Sequence, residues 1–185
     1  MGVAEVQQAM RKLVARLDEL EIPYAIVGAM ALNEHGYRRV TVDVDVLLTR
    51  EGLQRFKERW LGRGYVEKFP GSRGVRDTEL GVAIDVLIAG DYPGDGKPKP
   101  VQFPDPATVA VREHGLALIP LAKLVELKLA SGMSSIHRAK DIGDVVELIK
   151  HVRPARELGA ALDASVRTKY FELWDALQTP DPMPE

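Results

Sequence analysis

Two aspartates lie inside a stretch of alternating residues that predicts a β-strand. Between Thr41 and Thr49, valines alternate with Asp43 and Asp45, and this two-residue period places the valines on one face and both carboxylates on the other. Aspartate is depleted from strands, and two like charges about 6.5–7 Å apart along a strand repel each other. The chain must therefore fold into a sheet with one apolar face and one acidic face, and a bound cation would relieve the repulsion.

Asp85 repeats this anomaly in the strand predicted over Val82–Ala89, which is otherwise apolar. A buried carboxylate without a partner is expensive. If the two strands are neighbours, Asp43, Asp45 and Asp85 meet at one point. Oxygen ligands of this kind suit Mg²⁺, and two such ions about 3.5–4 Å apart stabilise the attacking and leaving oxygens of a phosphoryl or nucleotidyl displacement. The alternative is an exposed edge strand whose carboxylates keep it soluble.

The surrounding pattern predicts a mixed α/β core. Further strands are predicted over Tyr24–Val27, Tyr65–Phe69 and Leu116–Ile119. Hydrophobic spacing and capping residues predict helices over Val3–Leu20, Met30–Glu34 and from the N-cap Thr49 to Trp60. The segment Asp91–Pro106 contains five of the twelve prolines, and we predict a long irregular loop there.

After Pro120 the chain is predicted to be helical. The four helices are expected over Leu121–Ala130, Lys140–Val152, Ala155–Val166 and Thr168–Gln178. We therefore predict an α/β (α+β) fold with a small mixed sheet flanked by helices, followed by a helical subdomain. The predicted domains are a core over residues 1–119, a helical subdomain over 120–178 and a frayed tail over 179–185.

Composition excludes several classes of function. The 185-residue chain has no cysteine, which rules out disulfides, thiolate zinc sites and a thiol nucleophile. Its 25 basic and 27 acidic side chains argue against a protein that coats nucleic acid without specificity. No apolar run approaches the roughly 20 residues that span a bilayer, and the N-terminus lacks a signal-peptide core. We expect a cytoplasmic protein without a membrane partner.

Gly28 lies where a predicted strand gives way to a short helix. Backbone N–H groups at such a position bind phosphate, and glycine lets a ligand approach closely. A plain turn is the alternative. The position gains interest because the Asp43 and Asp45 strand follows soon afterwards.

Taken together, three segments resemble the DNA polymerase β-like nucleotidyltransferase superfamily. They are Ile26-Val27-Gly28-Ala29, Arg38 to Val46, and Ile84-Asp85-Val86. The family pattern is a strand ending in Gly-Gly or Gly-Ser, a short helix, a strand with Asp-x-Asp, and a third carboxylate on a later strand. The order Arg-x-x-Thr-x-Asp-x-Asp after a His-Gly pair looks especially like the minimal nucleotidyltransferases grouped with the AbiEii-type toxins. The resemblance implies the nucleotidyltransferase fold.

The resemblance also implies a reaction, in which a nucleoside monophosphate moves from an NTP to an acceptor hydroxyl and pyrophosphate is released. Asp43 and Asp45 would bind Mg²⁺ and the nucleotide phosphates. Asp85 would complete the metal site and help to activate the acceptor hydroxyl. All three residues are thus both metal ligands and catalytic residues in this interpretation.

Four residues of the matching segments are implied in nucleotide binding: Gly28, Ala29, Arg38 and Thr41. Gly28 and the amide of Ala29 would hold the triphosphate. Ala29 departs from the usual Gly or Ser, which removes a possible hydroxyl contact and leaves the backbone donor.

The predicted helical part adds two candidates. Its segments Glu126 to Lys128 and Arg138 to Asp144 look like the second-half motifs of the AbiEii-type group, in which a Lys and an Asp complete the site. Lys128 and Asp141 are therefore predicted to be catalytic. The alternative is that both are solvated helix residues and that Asp141 caps a helix.

A basic stretch over residues 50–76 bears on the partner. Its basic residues are Arg50, Arg55, Lys57, Arg59, Arg63, Lys68, Arg73 and Arg76. They would steer a polyanion such as RNA, although a solvated helix face explains some of them equally well. The toxin-like interpretation predicts an RNA or tRNA end as acceptor and a cognate antitoxin as partner. The alternatives are a small-molecule, antibiotic-type nucleotidyltransferase and a non-catalytic binding protein with the same fold.

Overall fold

Short strands and helices alternate in the first of two units of the computed structural model, which describes residues 3–179. This unit comprises the chain up to Glu34, Arg38–Asp91 and Phe103–Pro120. Its strands are β1 (Ala25–Ile26), β2 (Asp43–Leu48), β3 (Tyr65–Glu67), β4 (Val75–Asp77), β5 (Ala83–Ile88), β6 (Val111–Glu113) and β7 (Leu116–Leu118). Its helices are α1 (Val3–Glu19), α2 (Gly28–Glu34), α3 (Arg50–Trp60) and α4 (Pro106–Val109).

The strands form one mixed sheet in the order β3-β4-β5-β2-β1-β7-β6. β2 pairs in parallel with β5, so that Asp45 lies opposite Asp85, and it pairs antiparallel with β1. β1 in turn pairs in parallel with β7. Because β2 is a central strand, the interpretation of its aspartates as solubilising groups on an edge strand is wrong.

The valine face of β2 lies in the hydrophobic core. Val44, Val46 and Ile84 are fully buried there. The core also contains apolar residues of α1 and α3, which recur at helical spacing in the sequence. α3 begins where predicted, since the Thr49 side chain accepts a hydrogen bond from the amide of Gly52 at 3.0 Å.

The predicted fold class, a mixed sheet flanked by helices, is confirmed. The strand predicted near Tyr65 is β3, at the edge of the sheet. Two strands were not predicted, β4 and β6. Both are three residues long, and β6 is exposed throughout, so neither carries enough alternation to be recognised.

The second unit consists of His35–Tyr37, Tyr92–Gln102 and the chain from Leu121 onward. Its helices are α5 (Leu121–Ser134), α6 (Ala139–Val152) and α7 (Ala164–Ala176), with 3₁₀ turns over Ile136–Arg138 and Arg156–Ala161. The irregular loop predicted after β5 is confirmed from Asp91 as far as Asp105, because α4 begins at Pro106.

The helix predicted over Ala155–Val166 is wrong. A 3₁₀ turn ends at Ala161, and α7 begins only at Ala164. Asp163 causes the break, because its side chain accepts a hydrogen bond from the amide of Ser165 at 2.9 Å and so caps α7.

The predicted frayed tail lies outside the described residues from Pro180 onward. Within residues 3–179, the longest and most apolar helices still fall short of what is needed to cross a bilayer. The domain boundary predicted between residues 119 and 120 stays a prediction.

Candidate active site

The acidic face of the sheet is built by β2 and β5. Asp43 and Asp45 alternate with buried valines on β2 and are themselves half-buried. Asp85 lies opposite Asp45 on the neighbouring strand, and paired strands are about 4.8 Å apart. Residues paired in this way share one face, so the three predicted carboxylates lie on the same face at adjoining positions.

Gly28 packs directly against this face. The amide of Val27 donates to the carbonyl of Asp45 at 3.1 Å, which holds the start of α2 beside β2. Gly28 has a φ of +61°, a left-handed conformation that glycine adopts without strain. A Cβ atom at this position would lie 1.9 Å from Oδ2 of Asp45. The absence of a side chain at Gly28 therefore lets the Asp45 carboxylate lie directly against the backbone at the start of α2.

Thr41 and Lys68 contact the carboxylates of this face. The Thr41 hydroxyl donates to Oδ1 of Asp43 at 2.6 Å, which places Thr41 beside the acidic face. Its implied role in nucleotide binding stays a prediction. The ammonium of Lys68 lies 2.6 Å from Oδ1 of Asp85. Lys68 appeared in the sequence only as one member of the basic stretch.

Comparison with known proteins identifies the fold. No protein-family model matches the sequence, and no curated protein matches it. Among solved structures, a candidate nucleotidyltransferase from Thermotoga maritima aligns with a TM-score of 0.53 at 16% identity, over 77% of this chain and 93% of its own. The antibiotic-resistance factor ANT(2'')-Ia aligns with a TM-score of 0.50 at 17% identity, over 96% of this chain and 95% of its own. The chain has the nucleotidyltransferase fold.

A third structure agrees with this. A candidate nucleotidyltransferase from H. pylori aligns with a TM-score of 0.50 at 14% identity, over 96% of this chain and 95% of its own. At these identities the likeness establishes the nucleotidyltransferase fold, and the AbiEii-type subgroup stays a prediction.

The donor set of this nucleotidyltransferase fold fits a divalent cation. Carboxylate oxygens are the ligands that Mg²⁺ prefers, and Asp43, Asp45 and Asp85 lie on one face of the sheet at adjoining positions. Within residues 3–179, no three His, Cys, Asp or Glu side chains are gathered closely enough to hold a metal ion as they stand. Asp43 instead faces the Thr41 hydroxyl and Asp85 faces Lys68. Metal binding therefore requires these carboxylates to reorient.

The helical unit contains a buried charge cluster. The ammonium of Lys128 lies 3.0 Å from Oδ1 of Asp141 and 2.7 Å from Oδ2 of Asp144. The side chains of these residues are only 11%, 4% and 9% exposed, in that order. Ser131 and Arg138 also contact Asp141. The interpretation of Lys128 and Asp141 as solvated helix residues is therefore wrong.

Charge partners decide the ionisation of Asp141. Burial by itself would raise the pKa of its carboxyl, but the nearby Lys128 charge and the hydrogen bonds from Ser131 and Lys128 outweigh burial and lower the pKa overall. Asp141 is thus held as a carboxylate within the cluster. Its place in the first turn of α6 also suits a negative charge.

The basic stretch forms many local contacts. Arg50 and Arg73 both pair with Asp91. Lys57 binds Glu67 and the carbonyl of Ser72. Other members donate to backbone carbonyls or stack on an aromatic ring, namely Arg55, Arg76 and Arg59. Since these charges already have partners, the stretch is less available to a polyanion than its composition suggested.

Arg38 and Ala29 complete the set of predicted residues. Arg38 is exposed in the segment that leads into β2, and Ala29 is buried in the first turn of α2. Sequence reasoning missed Lys68 and Asp144 as members of the two clusters. Asp144 lies three residues after Asp141, a helical spacing that would have placed both on one face, whereas the contact of Lys68 has no sequence signal.

Proposed function

We propose that this chain is a metal-dependent nucleotidyltransferase, which moves a nucleoside monophosphate from an NTP to an acceptor hydroxyl. The observation that carries the proposal is the register of β2 and β5, which puts Asp45 opposite Asp85 on central strands. Three carboxylates on one face of a central sheet repel one another, a cost that a bound cation would offset. Gly28 lets the Asp45 carboxylate lie against the start of α2, the segment implied in phosphate binding.

Asp43, Asp45 and Asp85 would hold two Mg²⁺ ions. These ions would neutralise the charge on the transferring phosphate and on the leaving oxygen. In the transfer, the acceptor oxygen forms a bond to the α-phosphorus while the bond from that phosphorus to pyrophosphate breaks. Asp85 accepts the proton of the acceptor hydroxyl. Its side chain is 40% exposed, so an acceptor can reach it from solvent.

The nucleotide phosphates would lie at the start of α2. Gly28 permits close approach, and the amide of Ala29 would donate to a phosphate oxygen. Thr41 would position the Asp43 carboxylate through the hydrogen bond it already makes. Arg38, exposed before β2, would add a positive charge for the triphosphate.

The acceptor has two candidates. The AbiEii-type resemblance supports an RNA or tRNA end, with a cognate antitoxin restraining the enzyme. A small hydroxylated molecule is favoured by a different observation, namely that the basic stretch is largely occupied by local partners. The neighbour ANT(2'')-Ia is known in complex with adenylyl-2''-tobramycin, which makes an aminoglycoside a reasonable first small-molecule acceptor. The catalytic roles implied for Lys128 and Asp141 stay predictions.

The test is transfer of label from an NTP. The protein is incubated with Mg²⁺, each of the four NTPs labelled at the α-phosphate, and either total RNA or a panel of aminoglycosides. Label is expected in one acceptor class, and an NTP labelled at the γ-phosphate should transfer nothing, because the γ-phosphate leaves in pyrophosphate. Asp43→Asn and Asp45→Asn should abolish transfer, whereas Glu172→Gln, at an exposed carboxylate of α7, should leave it unchanged.

The acceptor that becomes labelled decides between the candidates. Labelled RNA supports the toxin-like interpretation, and labelled aminoglycoside supports the antibiotic-type one. If neither acceptor is labelled and NTP with Mg²⁺ does not raise the melting temperature, the enzyme proposal fails in favour of a non-catalytic protein with this fold.

A further inference from the structure

The ammonium of Lys68 lies 2.6 Å from Oδ1 of Asp85, and the geometry of the β3–β4 hairpin permits this contact. Its amide donates to the carbonyl of Gly74 at 3.2 Å, which closes the hairpin at this point. A Cβ atom on Gly74 would lie 2.7 Å from Cδ of Lys68 and 3.3 Å from Oδ1 of Asp85. The absence of a side chain at Gly74, the residue before β4, therefore lets the aliphatic part of Lys68 pass over the backbone there and bring the ammonium to Asp85.

The hairpin does not depend on this ion pair for its own stability. Lys57 of α3 pairs with Glu67 of β3 at 2.6 Å and also donates to the carbonyl of Ser72. The amide of Gly71 donates to the other oxygen of Glu67 at 2.8 Å. These contacts fix the turn, so the contact between Lys68 and Asp85 is free to serve the site.

The ion pair between Lys68 and Asp85 is weak enough for another cation to replace the ammonium. The side chains of Lys68 and Asp85 are 29% and 40% exposed, and half-exposed ion pairs shift an equilibrium by a factor of only about two to five. A divalent cation bound to Asp85 would stand close to the ammonium and repel it. The ammonium and the cation therefore compete for the same carboxylate.

We propose that Lys68 is the resident counter-ion of Asp85, which neutralises this carboxylate before a divalent cation binds and must release it when the cation arrives. Lys68 is then a positioning residue that sets the cation affinity of the site. The inference rests on the proposed function for the identity of the cation site. It goes further by naming the residue that neutralises one of the three carboxylates without a metal.

The experiment measures Mn²⁺ binding directly, from the loss of the free-ion signal in electron paramagnetic resonance. Lys68→Met keeps the length of the side chain and removes its charge, and we expect it to bind Mn²⁺ about two- to fivefold more tightly than the wild type. Lys68→Arg should bind like the wild type. The matched control is Lys169→Met, because Lys169 is 30% exposed and pairs with Glu172 at 2.8 Å, and it should leave the affinity unchanged.

A variant without the Asp85 carboxylate shows whether Lys68 changes Mn²⁺ affinity through Asp85. In Asp85→Asn, adding Lys68→Met should change Mn²⁺ affinity no further. Lys68→Gln, checked by circular dichroism for folding, repeats the test if the methionine variant is unstable. Equal or weaker Mn²⁺ binding by the folded Lys68 variants overturns the counter-ion role, as does an increase that persists without Asp85.

The two proposals fail in different ways. If Asp43→Asn and Asp45→Asn do not weaken Mn²⁺ binding, the metal site of the proposed function is itself wrong. If they do weaken it while Lys68→Met leaves it unchanged, the metal site stands and the role of Lys68 is refuted.

Discussion

At the level of single residues, Gly28 combines two requirements in one position. Its φ of +61° favours glycine, and the space where a side chain would begin is taken by the carboxylate of Asp45. A side chain at Gly28 would therefore carry two separate costs, because the left-handed backbone would be strained and its Cβ atom would overlap Asp45. Gly62 shares the first requirement alone, because it has a φ of +72° and a Cβ atom added there would meet no other atom within 4 Å.

We expect Gly28→Ala to destabilise the protein by about 2 kcal/mol or more, because it adds overlap with Asp45 to the strain of the left-handed backbone. Gly62→Ala should lose only about 1 kcal/mol, from the backbone alone. Urea unfolding of both variants measures the difference. Equal losses would mean that Gly28 is needed only for its backbone conformation.

Lys128 offers a second prediction, because it neutralises two buried carboxylates. Removing one partner of a buried pair leaves an uncompensated charge, so Lys128→Met should lower the free energy of unfolding by about 3 kcal/mol. Lys150→Met on α6 is the matched control, since Lys150 is exposed and pairs with Glu147 at 3.1 Å, and it should lose less than about 0.5 kcal/mol. Urea unfolding at pH 7 gives both values.

An assay of nucleotidyl transfer distinguishes a catalytic role of Lys128 from a purely structural one. If Lys128 takes part in the reaction as predicted, Lys128→Met should lose activity at a temperature where it is still fully folded, with Mn²⁺ binding intact. Full activity under these conditions would leave Lys128 as a structural residue.

The limit of sequence reasoning is clear at this scale. Asp43, Asp45 and Asp85 stand out because a charge in an apolar strand is anomalous wherever it occurs. Lys68 does not stand out, because a lysine after a short exposed strand is ordinary. Its significance comes from Asp85, seventeen residues away, and only the path over Gly74 joins the two.

At the level of elements, strands and helices were predictable where burial imposed a period. β2 and β5 are six residues long. β5 alternates between half-buried and buried positions throughout and β2 does so over its first four residues, so their sequences carry the pattern. β6 pairs with β7 and has no buried side chain, so burial imposes no period on its sequence. The break before α7 was missed because the apolar residues on either side of Asp163 continue at helical spacing.

Asp163 is expected to determine where α7 begins. Its side chain accepts from the amide of Ser165, and its own amide donates to the buried Glu126 at 2.6 Å. Asp163→Ala keeps the second contact and loses the first, so the loss should be about 1 kcal/mol. Hydrogen exchange should increase in the first turn of α7, as measured by mass spectrometry.

Asp163→Asn provides the control, because asparagine caps helices about as well as aspartate. It should retain the protection of α7. Loss of protection in both variants would assign the effect to the charge of Asp163, whose pKa is lowered mainly by the hydrogen bond from the Ser165 side chain.

At the scale of the whole molecule, the stability of the fold and the binding of metal at the proposed site depend on different faces of the sheet. β2 and β5 are held together by a buried face of Val44, Val46 and Ile84, none of which touches solvent. The carboxylates occupy the opposite face. The apolar face is therefore expected to fold without any metal.

Chelation tests this separation. EDTA should stop nucleotidyl transfer and leave the circular dichroism spectrum unchanged, and added Mg²⁺ should restore activity. Stability should differ between the two conditions only by linkage, which is about 2.7 kcal/mol at a ligand concentration one hundred times Kd. A large loss of helical signal on chelation would instead identify a structural metal.

The parallel pairing of β2 with β5 also has a consequence for how the chain folds. Asp45 and Asp85 are brought side by side across a loop that contains the whole β3–β4 hairpin, and β1 and β7 close a still longer one. Pairings between distant segments slow folding, because the entropy of loop closure is lost before the contacts form. During synthesis, a chain that has emerged only as far as Leu48 contains Asp43 and Asp45 but not yet Asp85. The acidic face comes into existence only when the ribosome has released β5.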